Sequence, residues 1–143
     1  MAEVDAFLAD MLPRQLEAER ALCGGDADAR EDTWSSRDPV TLFGAAVALR
    51  RGRAEVGGTF AWLAGRFDGK RLEHYDLELV AAGASGDLAY TAGFEHKTFA
   101  TADGPLSYTL RVTHTYRRED GRWRIVHRHG DRPPEGTSLP VLR

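Results

Sequence analysis

The stretch that decides the fold is RVTHTYRREDGRWRIVHRHGD, residues 111–131. Two runs in which apolar and polar residues alternate lie on either side of Asp120-Gly121. An Asp-Gly pair between such runs is a strong signal for a β-hairpin with a two-residue turn of type I′. The pairing register of this hairpin decides which side chains line the interior, because a slip of one residue exchanges the two faces of a strand.

A two-residue turn predicts that His114 lies opposite His127 and that Val112 lies opposite His129. One face of the hairpin then holds the apolar residues together with the histidines: Leu110, Val112, His114, Tyr116, Trp123, Ile125, His127 and His129. The other face holds mainly arginine and threonine. A three-residue loop with Gly121 in a bulge is the rival register, and it would place His114 on the same face as Val126 and Arg128 and leave Trp123 on the outside. In both registers His114 lies on the apolar face.

The residues before the hairpin predict helices followed by further strands. Apolar residues spaced three and four apart predict helices within 4–22 and 54–67, and VTLF at 40–43 predicts a short strand. In 75–81 the odd positions are apolar. In 88–98 the even positions are apolar, and they place Tyr90, Phe94 and His96 on one face. Helices followed by antiparallel strands indicate an α+β domain with the helices on one face of the sheet.

Length and composition exclude several classes of protein. The 143 residues fit one domain. A net charge of −3 and an isoelectric point near 5.9 argue against a nucleic-acid partner. The single cysteine, Cys23, excludes an internal disulfide and a four-thiolate zinc site. The acidic N-terminal stretch and the short apolar runs predict a cytoplasmic protein with no membrane partner.

The hairpin resembles the closing hairpin of the nuclear transport factor 2-like superfamily, whose SnoaL-like and ketosteroid-isomerase-like branches are nearest. The association domain of calcium/calmodulin-dependent kinase II ends similarly. Residues 24–45 and 86–99 also match the helix-to-strand entry and the middle strand of that superfamily. The resemblance implies a single SnoaL-like domain at 1–131, followed by a proline-containing tail at 132–143. It also implies a strongly curved antiparallel sheet, a cone-like or cystatin-like roll, that holds the N-terminal helices, a small-molecule pocket and a homodimer.

The chain departs from the ketosteroid isomerases at the positions that carry their chemistry. Those enzymes use an Asp base, together with a Tyr and a protonated Asp as oxyanion donors. Phe43 lies near the place of the base, and the oxyanion Asp position falls close to His114. Steroid isomerisation by those groups is therefore not expected.

The histidines of the hairpin are the candidate catalytic residues. Histidine titrates near neutral pH, so His114, His129 and His127 are candidate acids or bases, although hydrogen-bonded core histidines would give the same pattern. The candidate ligand-binding residues are those expected to share their cavity: Tyr116, His96, Tyr90, Phe94, Trp62 and Val112. No metal or cofactor is expected, because no acidic residue has a spacing that defines a metal site.

Two functions remain open from the sequence. One is a pocket protein that binds a small hydrophobic molecule and catalyses proton transfer on it, as an isomerase, cyclase, dehydratase or hydrolase would. The other is a non-catalytic dimerisation or assembly domain. A homodimer through the outer face of the sheet is expected, because that face would match basic with acidic residues. These residues are Arg111, Arg117, Arg124 and Arg128 against Asp76, Glu78 and Glu95.

Overall fold

Six strands form one strongly curved sheet, in the order β2-β1-β6-β5-β4-β3, in a computed structural model that describes residues 2–135. The helices are α1 (Glu3–Cys23), α2 (Asp28–Thr33) and α3 (Arg53–Arg66). The strands are β1 (Thr41–Phe43), β2 (Arg50–Arg51), β3 (Arg71–Ser85), β4 (Leu88–Thr101), β5 (Gly104–Glu119) and β6 (Arg122–Asp131). The predicted α+β class with a curved sheet is confirmed. Residues 136–143 of the predicted tail lie outside the described residues.

The sheet differs from an all-antiparallel one at its β1 edge. The long strands β3 to β6 form an antiparallel meander, whereas β1 lies parallel to β6. Leu42 of β1 pairs with Arg128 of β6 and is buried beside it. The short strand therefore covers the hydrogen-bonding edge that β6 would otherwise expose.

The β5–β6 hairpin confirms the predicted turn and contradicts part of the predicted register. Asp120 and Gly121 both have positive φ, as a type I′ turn requires, and Tyr116 lies opposite Ile125. The register then shifts by one residue at Val126, so that Thr115 pairs with His127. Such a bulge exchanges the two faces of the strand beyond it.

The consequence of the bulge is that the hairpin histidines lie on opposite faces. His114 pairs with Arg128, and both are buried on the inner face. His127 and His129 lie on the outer face, next to Phe43 of β1. The predicted His114–His127 and Val112–His129 pairs are therefore wrong, and the three histidines do not share a cavity.

The face assignment predicted for 88–98 is also wrong. The odd positions of β4 face inward, so that Glu95 pairs with Leu110 and Lys97 pairs with Tyr108. The outer face holds the residues predicted to line the pocket, Tyr90, Phe94 and His96. The sequence pattern also predicts Glu95 and Arg128 on the outer face of the sheet, and this is wrong because both are buried on its inner face.

A hydrophobic core fills the end of the cone nearest the β5–β6 turn. Phe7 of α1 meets the rings of Tyr116 and Trp123 edge-on, at centroid distances of 4.7 and 5.0 Å. Trp34 packs against Phe60 of α3. The tight packing at this end leaves the interior of the opposite end for the site described below.

Within residues 2–135, no helix is long and apolar enough to cross a membrane.

Candidate functional site

A cavity of about 210 Å³ lies between the inner face of the sheet, the α1–α2 region and α3. It is larger than the engineered cavity of about 150 Å³ that binds benzene, so a ring-sized molecule fits. Much of its wall is apolar, and is formed by Leu22, Leu42, Leu63, Phe67 and Leu110. Gly130 of β6 also lines it, and a Cβ at that position would lie 3.1 Å from Nη2 of Arg128. The missing side chain of this glycine therefore keeps the space beside Arg128 open.

The charged side chains that line this cavity are all basic. Arg30, Lys97 and Arg128 are buried, whereas Arg66, Lys70 and Arg132 are exposed at its edge. Among the described residues, no Asp or Glu lines the cavity. An apolar wall combined with positive charge is suited to a ligand with an apolar body and a negatively charged group.

Two buried carboxylates lie behind this lining and hold its arginines. Arg128 donates to both oxygens of Glu95, at 2.7 and 3.0 Å, and its Nη1 also donates to Glu19 at 3.2 Å. Nε of Arg30 lies 3.1 Å from the other oxygen of Glu19. Tyr75 donates from its hydroxyl to Glu95 at 2.7 Å. These residues form one hydrogen-bonded network, which fixes both guanidinium groups at the cavity.

The network keeps the carboxylate of Glu95 ionised. Burial by itself would raise the pKa of Glu95, but the neighbouring Arg128 and Lys97 hold that pKa well below its usual range. Burial lowers the pKa of Arg30, and Glu19 counteracts this effect. For Arg128, burial by itself would lower the pKa, but the attraction and hydrogen bonds of Glu95, together with Glu19, raise it. The network therefore acts as a fixed set of charges rather than as a proton donor at neutral pH.

His114 lies next to this network and away from the cavity lining. Nη1 of Arg128 lies 3.2 Å from Nε2 of His114. Because a guanidinium group can only donate, a neutral ring that accepts this contact carries its proton on Nδ1. Burial and the adjacent Arg128 hold the pKa of His114 well below its usual range. Nδ1 is buried and has no hydrogen-bond partner within residues 2–135. A catalytic role for His114 remains a prediction, but no second imidazole of the described residues lies beside it on the inner face.

The other two candidate catalytic histidines have structural partners on the outer face. Nδ1 of His127 lies 2.7 Å from the hydroxyl of Thr41. Nε2 of His129 lies 3.4 Å from Oδ2 of Asp131, which also accepts a hydrogen bond from Nη2 of Arg111. Both are on the far side of the sheet from the cavity, so they cannot act together with His114 on one ligand.

The candidate ligand-binding residues are divided among three places. Val112 and Tyr116 lie on the inner face as predicted, but both are buried and neither lines the cavity. Tyr116 is hydrogen-bonded to Gln15 and Thr91. Trp62 is 47% exposed on α3 and lies beside Arg66 rather than in the cavity wall. Tyr90, Phe94 and His96 lie on the outer face, as described above.

The residues that shape the cavity were missed because they are charged. Glu19 and Arg30 lie on helices, and Glu95 and Lys97 occupy the polar positions of β4. A pattern that equates polar with exposed assigns all four to solvent. Within residues 2–135, no group of three His, Cys, Asp or Glu side chains could hold a metal ion.

Comparison with known proteins places the chain in one family. The sequence model of the SnoaL-like domain matches residues 17–133. No curated protein sequence shows a significant match. A protein of unknown function with a cystatin-like fold from Nostoc punctiforme aligns with a TM-score of 0.70 and 19% identity, over 99% of this chain and 100% of its own.

Two further solved structures share the fold. One is a candidate dehydratase of the nuclear transport factor 2-like family from Streptomyces avermitilis, with a TM-score of 0.70 and 16% identity over 91% of this chain and 98% of its own. The other is a candidate calcium/calmodulin-dependent protein kinase II association domain from Xanthomonas campestris, with a TM-score of 0.62 and 19% identity over 87% and 86%. At these identities the likeness shows the fold alone. The match of the family model over most of the chain decides the family: the chain belongs to the SnoaL-like domain family.

Proposed function

We propose that this domain binds a small molecule whose apolar body occupies the cavity inside the cone. The observation that carries the proposal is the cavity of about 210 Å³, which has an apolar wall formed by residues of the helices and the sheet. Leu42, Leu63 and Phe67 would contact the apolar part of the ligand. Burial of about 100 Å² of apolar ligand surface contributes roughly 2.5 kcal/mol, which is enough to hold a small ligand when a polar contact is added.

The geometry favours binding over proton-transfer catalysis. A general acid or base must lie within hydrogen-bond reach of the reacting atom. His114 does not line the cavity, and the carboxylate of Glu95 is engaged by Arg128 and Tyr75. The remaining ionisable groups at the wall are arginines and lysines, which bind and orient anions at neutral pH, and Tyr108, whose pKa is raised by burial.

Binding in the cavity is tested with a neutral, ring-sized probe. We expect phenylacetamide to bind to the purified protein in a calorimetric titration. A substitution that fills the cavity with a larger side chain should abolish this binding. Leu63→Trp places a larger side chain in the wall, whereas Ala61→Trp adds the same side chain at an exposed position of α3. Loss of binding in the Leu63 variant alone supports the proposal. Equal binding by both variants would place the probe elsewhere and overturn it.

Homodimer formation through the outer face of the sheet is the second candidate function. The observation that favours it is a group of apolar side chains on that face, where Phe43 is 40% exposed, Tyr90 44% and Leu88 64%. One structural neighbour is described as a candidate association domain. Exposed apolar patches on one face are typical of an interface between subunits.

Light scattering after gel filtration tests the dimer. We expect twice the mass of the chain for the wild type and the mass of the monomer for Tyr90→Glu. Trp62→Glu introduces the same charge on α3, away from the outer face of the sheet, and should remain dimeric. A monomeric wild type at micromolar concentration would contradict the proposed dimer.

A further inference from the structure

We propose that the ligand of this cavity carries a carboxylate, and that Lys97 is the residue that binds it. This inference rests on the proposed small-molecule function and names the chemical class of the ligand. Lys97 projects from β4 into the cavity between the rings of Phe67 and Tyr108. Neither the family match nor the structural neighbours assign it a role.

The first argument is the balance of buried charge. Three buried cations, Arg30, Lys97 and Arg128, lie around the cavity, and two buried carboxylates, Glu19 and Glu95, lie behind them. The carboxylates hold the two arginines through direct contacts of 3.2 Å or less. One positive charge is therefore left in excess, and it lies where the interior is empty. A buried charge is costly unless a counter-charge lies close to it.

The second argument is the bonding of Lys97 itself. Its side chain is only 6% exposed, and the nearest carboxylate oxygen, on Glu95, lies 3.9 Å from Nζ. That oxygen already accepts a hydrogen bond from Arg128 at 2.7 Å. Within residues 2–135, Nζ of Lys97 makes no hydrogen bond. An ammonium group has three donors, and the open side of this one is the cavity.

Aromatic rings surround the rest of the ammonium group. Nζ lies 5.8 Å from the ring centre of Tyr75 and 5.9 Å from those of Phe67 and Tyr108. Ring faces attract a cation but supply no hydrogen-bond acceptor of carboxylate strength. They hold Lys97 in place and leave its donors available to a ligand.

The edge of the cavity supports the same ligand class. Arg66, Lys70 and Arg132 are exposed there, and their summed field attracts an anion toward the opening. A carboxylate would then lie against Lys97, and the apolar body would lie against Leu63 and Phe67. One excess buried charge matches a monocarboxylate better than a phosphate dianion.

The experiment compares two probes of nearly equal shape, phenylacetate and phenylacetamide, by calorimetric titration. The wild type should bind phenylacetate at least tenfold more tightly. Lys97→Met should weaken phenylacetate binding roughly ten- to a hundredfold, which is the range for a lost hydrogen bond to a charged group, and should leave phenylacetamide binding unchanged. Arg122→Met removes an exposed cation at the start of β6, outside the cavity lining, and should leave phenylacetate binding unchanged.

Several results would overturn the inference, and they are distinguishable. If both probes bind equally and Leu63→Trp abolishes both, the cavity binds small molecules but the carboxylate assignment is wrong. If phenyl phosphate binds more tightly than phenylacetate, the ligand class is a phosphate. If neither probe binds, the small-molecule function fails, and the inference fails with it. Retained phenylacetamide binding in Lys97→Met shows that this variant is folded, so that a loss specific to phenylacetate is informative.

Discussion

The guanidinium group of Arg128 binds both carboxylate oxygens of Glu95 across a strand that separates them. Arg128 lies on β6 and Glu95 on β4, and β5 lies between these strands in the sheet. The curvature of the sheet brings the two side chains together above β5. Removal of one partner leaves a buried charge without its counter-charge.

We therefore expect Glu95→Leu to destabilise the fold by about 3–5 kcal/mol, measured by urea denaturation. Arg128→Met should have a similar effect. The double variant should recover most of the loss, because replacement of a whole buried ion pair by apolar side chains is often close to neutral. Additive losses in the double variant would show that the two side chains do not interact as the structure describes.

Stability should fall as the pH drops below about 6.5, because of His114. Its pKa is held well below the usual value of about 6.5 by burial and by Arg128. Below that pH the unfolded chain takes up a proton that the folded chain does not. Protonation therefore lowers the free energy of the unfolded state relative to the folded state. Above pH 6.5 the free energy of unfolding is not reduced by this effect. Below pH 6.5 it falls by up to about 1.4 kcal/mol per pH unit.

Urea denaturation at a series of pH values between 7.5 and 3 tests this dependence. His114→Gln should flatten the decrease, whereas His74→Gln, at an exposed position, should not. Burial also lowers the pKa of His127, so His127→Gln should remove a further part of the slope. Below about pH 4.5 a second loss is expected in every variant, because the depressed pKa of Glu95 stabilises the fold only while its carboxylate is ionised. An unchanged slope in His114→Gln would contradict the buried, neutral ring.

The fold could be predicted from local signals. Asp120-Gly121 defines the turn of the last hairpin, and both residues adopt the positive φ that a type I′ turn needs. The bulge at Val126 has no such signal, since valine is an ordinary strand residue. This one unpaired residue places His127 and His129 on the face opposite to the predicted one.

The faces of β4 could have been predicted from its neighbour. Thr101 pairs with Gly104 across a two-residue turn, and this places Thr91 opposite His114. The apolar pattern of β5 had already placed His114 inside, so the turn alone requires the odd positions of β4 to face inward. The hydrophobic pattern of 88–98 indicated the reverse, because the interior near the cavity is charged and the outer face is partly apolar.

Chemical labelling of histidines tests the face assignments directly. His74 and His129 have side chains that are 60% and 49% exposed, whereas His114 is 1% exposed. We expect diethylpyrocarbonate to modify His74 and His129 rapidly in the native protein and to modify His114 only at the rate of unfolding. Peptide mass spectrometry over time measures each rate. Rapid labelling of His114 together with His129 would contradict the inner-face position of His114 and support the shared face that the sequence pattern predicted.

Two glycines should respond oppositely to replacement by alanine, because they differ in the space around them. A Cβ on Gly93 of β4 would lie 2.2 Å from the carbonyl oxygen of Glu78 on β3, so Gly93→Ala must force the two strands apart. At Gly65 of α3 no atom lies within 4 Å of such a Cβ, and alanine favours the helix by about 1 kcal/mol. Urea denaturation should therefore show a large loss of stability for Gly93→Ala and a gain of about 1 kcal/mol for Gly65→Ala. If Gly93→Ala is as stable as the wild type, β3 and β4 do not approach each other as closely at this point as the register requires.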